Sequence, residues 1–467
     1  MKRARTASEM EQQGNTHTNI TMNTKRTILT TLLAMLTAAA SAQTPNLVSY
    51  QGRVAELLGA HGMVPVADGE DAELVVLNTC HIREKAADRA YSEVGRLKRD
   101  DGSRPMIALA GCVAQAEGEE AKRRSKMIDM VVGPQAYHRL PEMVAAVARG
   151  ERPVDTDMPA ISKFGVLPAR RRSGPSAFLT VQEGCDKFCT YCVVPYTRGA
   201  EISRPFADIV AEAEALVDGG AREITLLGQN VNAWAGSEGG LDALIRAIAR
   251  IDGLQRIRYT TSHPADMGDA LIAAHGEVDK LMPYLHLPVQ SGSDKILKAM
   301  NRSHTADSYL KTLDKVRAVR PGVAISGDFI VGFPGETEKD FSDTLAIVDA
   351  VGYASAYSFK YSPRPGTPAA TMEGAVAAEV MDDRLQRLQA RLAEHSLAFN
   401  RATIGRDVRV LIDRKGRLPG QMIGKSPWLQ SVFCETGATI GDMIDVHVTH
   451  ALPNSLGGIL IPQQVAA

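Results

Sequence analysis

The sequence predicts a multidomain α/β protein: an N-terminal open parallel α/β sheet, a partial (βα)6 TIM-like barrel, and a small C-terminal antiparallel β-barrel. Three observations lead there. At 467 residues the chain is too long for one ordinary domain. Two separate series of short apolar runs alternate with helical stretches, the pattern of parallel sheets covered by helices. The last segment instead carries short strand patterns broken by Gly and Pro.

Residues 1–46 stand apart in pattern. Lys25 and Arg26 precede an apolar run from Ile28 to Ala40, and Ala40-Ser41-Ala42 follows in the manner of a small-residue cleavage site. The run is short for a membrane-spanning helix. The expectation is a signal-like or disordered segment foreign to the working fold, such as an altered gene start would leave.

Residues 47–150 form the first series. Glu73–Asn78, Pro105–Ala110 and Asp129–Val132 read as buried parallel strands. Cys80 and Cys112 follow the first two, at the carboxyl ends where an open parallel sheet makes its binding crevice. Either thiol alone is most simply a buried structural cysteine; the matching positions favour a shared site.

Residues 151–176, with Pro153, Pro159, Pro168, Arg170–Arg172 and Gly174-Pro175, read as a linker. Six strand patterns follow in residues 177–395: Phe178–Val181, Glu223–Leu227, Arg256–Thr260, Tyr284–Leu287, Ala324–Ile330 and Ala354–Phe359. Reactive groups of such barrels sit on the loops after the strands. Here those loops carry Cys185 to Cys192, Gly228-Gln229-Asn230, Ser262-His263-Pro264 and Gln290-Ser291-Gly292, so one mouth collects them. A charged helix runs to about Asn400, and residues 398–463 form the last barrel. Its Arg414-Lys415-Gly416-Arg417 is either a solvated turn or an edge that contacts phosphate.

The totals limit function. Lys and Arg number 53 against 54 Asp and Glu, so any nucleic-acid contact is local. Six cysteines in this length make no disulfide scaffold and point to metal ligands or redox groups.

Half of those cysteines lie in EGCDKFCTYCVVPYTRG, residues 183–199. Cys185, Cys189 and Cys192 have the spacing of one helix face, but Gly184 and Pro195 favour a loop. Zinc ordinarily takes four ligands and the chain offers no partner pair; a lone CxxC redox motif leaves Cys185 unused. Three thiolates on a cubane iron-sulfur cluster leave one iron open. S-adenosylmethionine can chelate it through its amino and carboxylate groups and accept an electron.

CxxxCxxC after the first strand of a partial βα barrel resembles the radical S-adenosylmethionine superfamily. The resemblance extends over about residues 50–462 to the bacterial methylthiotransferases that make 2-methylthio-N(6)-dimethylallyladenosine in tRNA. It is carried by Asn78-Thr-Cys-His-Ile-Arg-Glu-Lys-Ala86, Cys185 to Gly199, Ser203-Arg-Pro205, Leu227-Gly-Gln-Asn-Val-Asn-Ala-Trp234, Leu285 to Gly292, Gly332-Phe-Pro-Gly-Glu-Thr-Glu338 and Tyr361-Ser-Pro-Arg-Pro-Gly-Thr-Pro368.

The resemblance implies an N-terminal methylthiotransferase domain with a second 4Fe-4S cluster, a radical barrel, and a TRAM barrel that grips tRNA. It implies that Cys185, Cys189 and Cys192 hold the radical cluster, that Cys80 and Cys112 belong to the auxiliary one, and that Gly228, Gln229, Ser262 and Gln290 contact S-adenosylmethionine. The implied reaction replaces the C2 hydrogen of prenylated adenosine beside the anticodon by a methylthio group, with sulfur from the auxiliary cluster. The implied partners are tRNA and a low-potential electron donor such as flavodoxin or ferredoxin, with a monomer, no membrane, and a cytoplasmic location for oxygen-sensitive clusters.

One departure is plain. The family's third auxiliary cysteine would fall near Thr44, and no cysteine precedes Cys80. Two ligands would hold that cluster poorly. The alternatives are the ribosomal-protein aspartate and threonylcarbamoyladenosine methylthiotransferases, and an inactive tRNA-binding homologue.

Overall fold

The computed structural model describes residues 18–23, 54–66, 72–79, 84–99, 101–158 and 174–462, which fall into two compact units. Unit 1 takes residues up to Arg170 together with Tyr196–Gly199; unit 2 takes the rest.

In unit 1 six strands form one sheet: β1 (Thr18–Asn23), β2 (Val64–Pro65), β3 (Leu74–Thr79), β4 (Met106–Gly111), β5 (Met130–Val132) and β6 (Val154–Asp155), in the order β2-β1-β3-β4-β5-β6. β3 to β6 are parallel. The period-2 alternation of each strand sends neighbouring side chains to opposite faces, and both faces are covered. Leu74, Val76, Ala108, Ala110, Met130 and Val132 pack against Val54 and Leu58 of α1 (54–60) and Leu140 and Met143 of α5 (Leu140–Ala148). Val75, Leu77, Ile107, Leu109 and Val131 pack against Ala90 and Val94 of α2 (Glu84–Arg96), Val113 and Ala114 of α3 (Cys112–Glu117), and Ala121 of α4 (Glu119–Arg124).

Two expectations change here. Thr18–Asn23 lies in the segment expected to be foreign, yet it forms a strand antiparallel to β3, from Thr18 opposite Asn78 to Met22 opposite Leu74. Its TNITMN alternation suits a strand, and the ladder supplies hydrogen bonds to the edge of β3. The remainder of residues 1–46 lies outside the described residues. Within the expected linker, Val154–Asp155 extends the sheet as β6, pairing with Val131 and Val132.

Unit 2 opens with β7 (Ser176–Thr180). A two-residue ladder, β8 (Gln182–Glu183) against β9 (Ile202–Ser203), then encloses the cysteine loop and the short helix α6 (Val194–Arg198), whose last residues belong to unit 1. β10 (Glu223–Leu227), a small hairpin of β11 (Ala235–Gly236) and β12 (Gly239–Gly240), and β13 (Arg256–Tyr259) follow. β14 (Tyr284–His286), β15 (Ala324–Val331) and β16 (Ser355–Lys360) complete the series.

The barrel strands lie parallel as β13-β10-β7 and β14-β15-β16, joined by a bridge between Ile257 and Leu281. They form the expected six-stranded partial barrel. Outer helices are α7 (Phe206–Asp218), α8 (Leu241–Ala249), α9 (Asp269–Glu277), α10 (Asp294–Ala299), α11 (Ala306–Val319) and α12 (Glu338–Val351). Thr305 and Thr337 start α11 and α12 with reciprocal capping boxes. Ile224, Leu226, Ile257, Leu285, Ile325 and Phe329 fill one continuous core with Leu216, Ile245, Leu271, Leu313 and Val348 of those helices.

Helix α13 (Ala378–Arg401) leads to a closed barrel of β17 (Asp407–Lys415), β18 (Gln421–Lys425), β19 (Ser431–Glu435), β20 (Met443–Leu452) and β21 (Ser455–Leu460), in the order β17-β18-β19-β21-β20. The basic stretch sequence reasoning placed in a loop is partly strand. Arg414 and Lys415 end β17, opposite Ile423 and Met422, and Arg414 Nη1 pairs with Asp413 at 2.7 Å.

The small barrel is fastened to the amino ends of the βα-barrel strands. Arg256 donates to the carbonyls of Lys425 (2.7 Å) and Arg409 (2.5 Å), and Arg258 to those of Ser426 (2.9 Å) and Pro427 (2.8 Å). Glu223 supplies the countercharge, 2.9 Å from Arg258 Nε, and all three side chains are buried. Burial alone would raise the Glu223 carboxyl pKa, but the two guanidiniums bring it below its usual value. Glu223→Gln leaves two buried guanidiniums without their anion and is expected to cost about 3 kcal/mol, read as a lower urea midpoint; an unchanged midpoint would show the pair to be dispensable.

Candidate active site

The cysteine loop starts at Gly184, whose φ of 76° is a left-handed conformation that glycine adopts without strain. Gln182, the first residue of β8, ties this loop to the next one. Its Nε2 donates to the Gly184 carbonyl (2.7 Å), while its Oε1 accepts from the amides of Gln229 (2.8 Å) and Asn230 (3.1 Å). Gln229 Oε1 in turn accepts from the Gly184 amide at 2.8 Å. A Cβ on Gly228 would come within 2.4 Å of Gln182 Oε1, so this close approach requires glycine.

Distant segments grip the rest of the loop. Asn301 Nδ2 donates to the carbonyls of Lys187 (3.3 Å) and Phe188 (3.0 Å), and the Thr190 amide to that of Met300 (3.0 Å). Lys187 Nζ pairs with Asp266 at 2.7 Å, and Asn230 Nδ2 donates to the other Asp266 oxygen at 2.8 Å. Phe188 and Asn301 have positive φ, as do Thr261 after β13 and Gln290 after β14. Three of the five such non-glycine residues among those described, Phe188, Thr261 and Gln290, thus lie on loops that follow barrel strands, and Asn301 clamps one of those loops.

Within this frame Cys189 is buried and Cys185 and Cys192 are half-buried, all three as free thiols. Burial pushes the Cys185 thiol up to about 11 and the Cys192 thiol to about 12, with smaller contributions from the neighbouring cysteines. Bare thiolates are therefore disfavoured, and bound iron is what would replace their protons. Among the described residues no three His, Cys, Asp or Glu side chains form a single-ion cage. Three thiols gathered on one loop are the donor chemistry that an iron-sulfur cluster takes.

Further polar atoms are buried without a protein partner: Ser262 Oγ, His263 Nε2 and Arg302 Nε. Burial first, and the cations of Arg302 and Lys187 after it, hold His263 down to about 2, so its imidazole stays neutral. Gln290 is buried, its amide bonded to the Asp328 carbonyl at 2.9 Å. Of the residues expected to contact S-adenosylmethionine, Ser262 keeps an unpartnered hydroxyl, while Gly228 and Gln229 make their described contacts to the base of the cysteine loop.

In unit 1, Cys112 is the first residue of α3, just past β4. Gly111 before it has φ 89°, and a Cβ there would lie 2.5 Å from Asn78 Oδ1. The buried Arg198 reaches Cys112 Sγ through Nε at 3.2 Å, and Gln135 Nε2 donates to the Arg198 carbonyl at 3.2 Å. Cys80 and Thr44 lie outside the described residues. Cys434 is buried in the core of the small barrel.

Sequence reasoning missed Gln182, Asp266, Asn301 and Arg302. Asn301 and Arg302 meet the cysteine loop across 113 positions of chain, and no local pattern marks such a contact.

The Radical SAM superfamily model matches residues 179–348, that of Uncharacterized protein family UPF0004 residues 46–133, and the TRAM domain residues 401–461. The chain is 69% identical over 418 residues to the tRNA-2-methylthio-N(6)-dimethylallyladenosine synthase of Sphingopyxis alaskensis, covering 87% of this chain and 94% of that one. It is 67% identical to the enzyme of the same name from Novosphingobium aromaticivorans, covering 88% and 94%. Among solved structures, a radical S-adenosylmethionine methyltransferase from Kitasatospora setae shares the fold at a TM-score of 0.50 and 16% identity, over 65% of each chain.

Proposed function

The chain belongs to the tRNA-2-methylthio-N(6)-dimethylallyladenosine synthase family, and from that premise we propose how its residues carry out the family's reaction. It is a radical S-adenosylmethionine tRNA methylthiotransferase, placing a methylthio group at C2 of N(6)-dimethylallyladenosine next to the anticodon. The observation that carries this reading is the cysteine trio on the loop after the first barrel strand, clipped at its base by β8 and β9.

Cys185, Cys189 and Cys192 would hold the 4Fe-4S cluster, and Gly228, Gln229, Ser262 and Gln290 would line the S-adenosylmethionine side of the mouth. When bound, the cluster and S-adenosylmethionine supply one-electron chemistry able to act on a C–H bond that has no useful acidity. The chain's own residues hold the loop rigid: Asn301 and Met300 pin its backbone, while Asp266 anchors Lys187. The neutral His263 adds no charge where a sulfonium must enter.

Cys80 and Cys112 would hold the auxiliary cluster that supplies sulfur, with Arg198 donating to Cys112. Residues 47–150, 177–395 and 398–463 would then be the sulfur-donating, radical and tRNA-gripping domains. The electron comes from a flavodoxin or ferredoxin, and the enzyme works as a cytoplasmic monomer, where tRNA and oxygen-sensitive clusters are found. Among the described residues no helix is long and apolar enough to cross a membrane.

The test is anaerobic reconstitution followed by incubation with dimethylallylated tRNA, S-adenosylmethionine and reductant, and mass analysis of the released nucleosides. The 2-methylthio product is expected. An unmodified nucleoside beside a modified ribosomal-protein aspartate would overturn the assignment.

A further inference from the structure

We propose that Arg302 is a positioning residue for electron entry: its guanidinium, 3.6 Å from Cys189 Sγ, stabilises the negative charge gained when the thiolate-bound cluster is reduced. The proposal rests on the reading that Cys185, Cys189 and Cys192 hold that cluster.

The geometry leaves Arg302 little freedom. Its amide bonds the Leu297 carbonyl at 2.8 Å just past α10, and Nη2 donates to the Pro288 carbonyl at 2.7 Å. Nη1 faces the Cys189 sulfur, while Nε is buried without a partner. Met300 and Asn301, the two residues before it, clamp the backbone of Thr190, Lys187 and Phe188. One short segment therefore fixes both the loop and the cation that faces its middle cysteine.

Charge supplies the reason. Among the described residues Arg302 pairs with no carboxylate, and a partly buried guanidinium without an anion is costly. A thiolate-ligated cluster is the anion this site is built to receive. Hydrogen bonds to sulfur and nearby charge are among the levers that set cluster potentials. In the step concerned, one electron passes from a low-potential carrier, or dithionite in vitro, to the cluster. No bond forms or breaks, and the added negative charge falls beside Arg302.

The experiment is an EPR-monitored redox titration of anaerobically reconstituted wild type, Arg302→Gln and Arg302→Lys, with iron measured per chain. Arg302→Gln is expected to keep its iron yet titrate at a more negative potential. Its ratio of reduced to oxidised cluster should fall at least tenfold at fixed poise, about 59 mV for a one-electron couple. Arg302→Lys should recover part of that shift.

A Gln variant with full iron and the wild-type midpoint overturns the proposal. Should the Gln variant lose its iron, the Lys variant decides: full iron with a negative shift supports the proposal, and lost iron or an unshifted midpoint overturns it, leaving Arg302 a loop support. A wild-type protein with no EPR-active cluster would instead sink the assignment of the three cysteines.

Discussion

Replacing Cys185, Cys189 and Cys192 together by alanine is expected to abolish S-adenosylmethionine cleavage and nucleoside methylthiolation while leaving tRNA binding within a few-fold of wild type. The fold should tolerate the change. The loop is held by Gln182, Asn301, Thr190 and Asp266, through contacts that use no thiol. Its two-residue ladder pairs Gln182 with Ser203 and Glu183 with Ile202, also independently of sulfur. The measurements are deoxyadenosine and methionine released per hour, the EPR signal of the reduced protein, and salt-dependent tRNA binding. About four irons per chain, one cubane, should disappear with the three thiols. Retained cleavage in the triple variant would mean that the radical centre lies elsewhere.

Thr44→Cys is the complementary gain. Resemblance places the third auxiliary ligand near this position, and no cysteine precedes Cys80. A cubane held by two protein thiolates exchanges and is lost more readily than one held by three. The wild type should therefore fall from about eight irons toward about four on passage through a desalting column, whereas Thr44→Cys should retain about eight. Methylthiolated product per S-adenosylmethionine cleaved should rise about tenfold or more, a ligand-scale effect. Equal iron retention and equal coupling in both proteins would show that another group completes the auxiliary site.

The fold was largely legible because its strands are buried on both faces. Leu74 to Leu77 and Ile107 to Ala110 supply apolar side chains to two different cores at once, so they read as unbroken apolar runs. The same logic located β10, β13, β14 and β15 to within a residue or so of their observed ends. Thr18–Asn23 escaped notice because a polar, alternating six-residue stretch has no such signature and becomes a strand only by pairing with β3. Val154–Asp155 escaped for a similar reason, being two residues long and defined only by its register with β5. Arg414 and Lys415 looked like a loop because charge was weighed there and the hairpin ladder was not visible.

What the sequence determined by itself is the chemistry: three cysteines at spacings of four and three after a strand, between a glycine and a proline that keep them off a helix. That spacing is local, so it survives in a linear string. What only the tertiary structure decided is the setting of those thiols. Asp266, Asn301 and Arg302 reach the loop from segments after β13 and α10, across up to 114 positions in the case of Asn301. The same holds for Arg256 and Arg258, which carry Glu223's countercharge to carbonyls of a barrel more than 150 residues away. The physical reason is that hydrogen bonds and charge pairing depend on distance in space, which chain order sets only for neighbours.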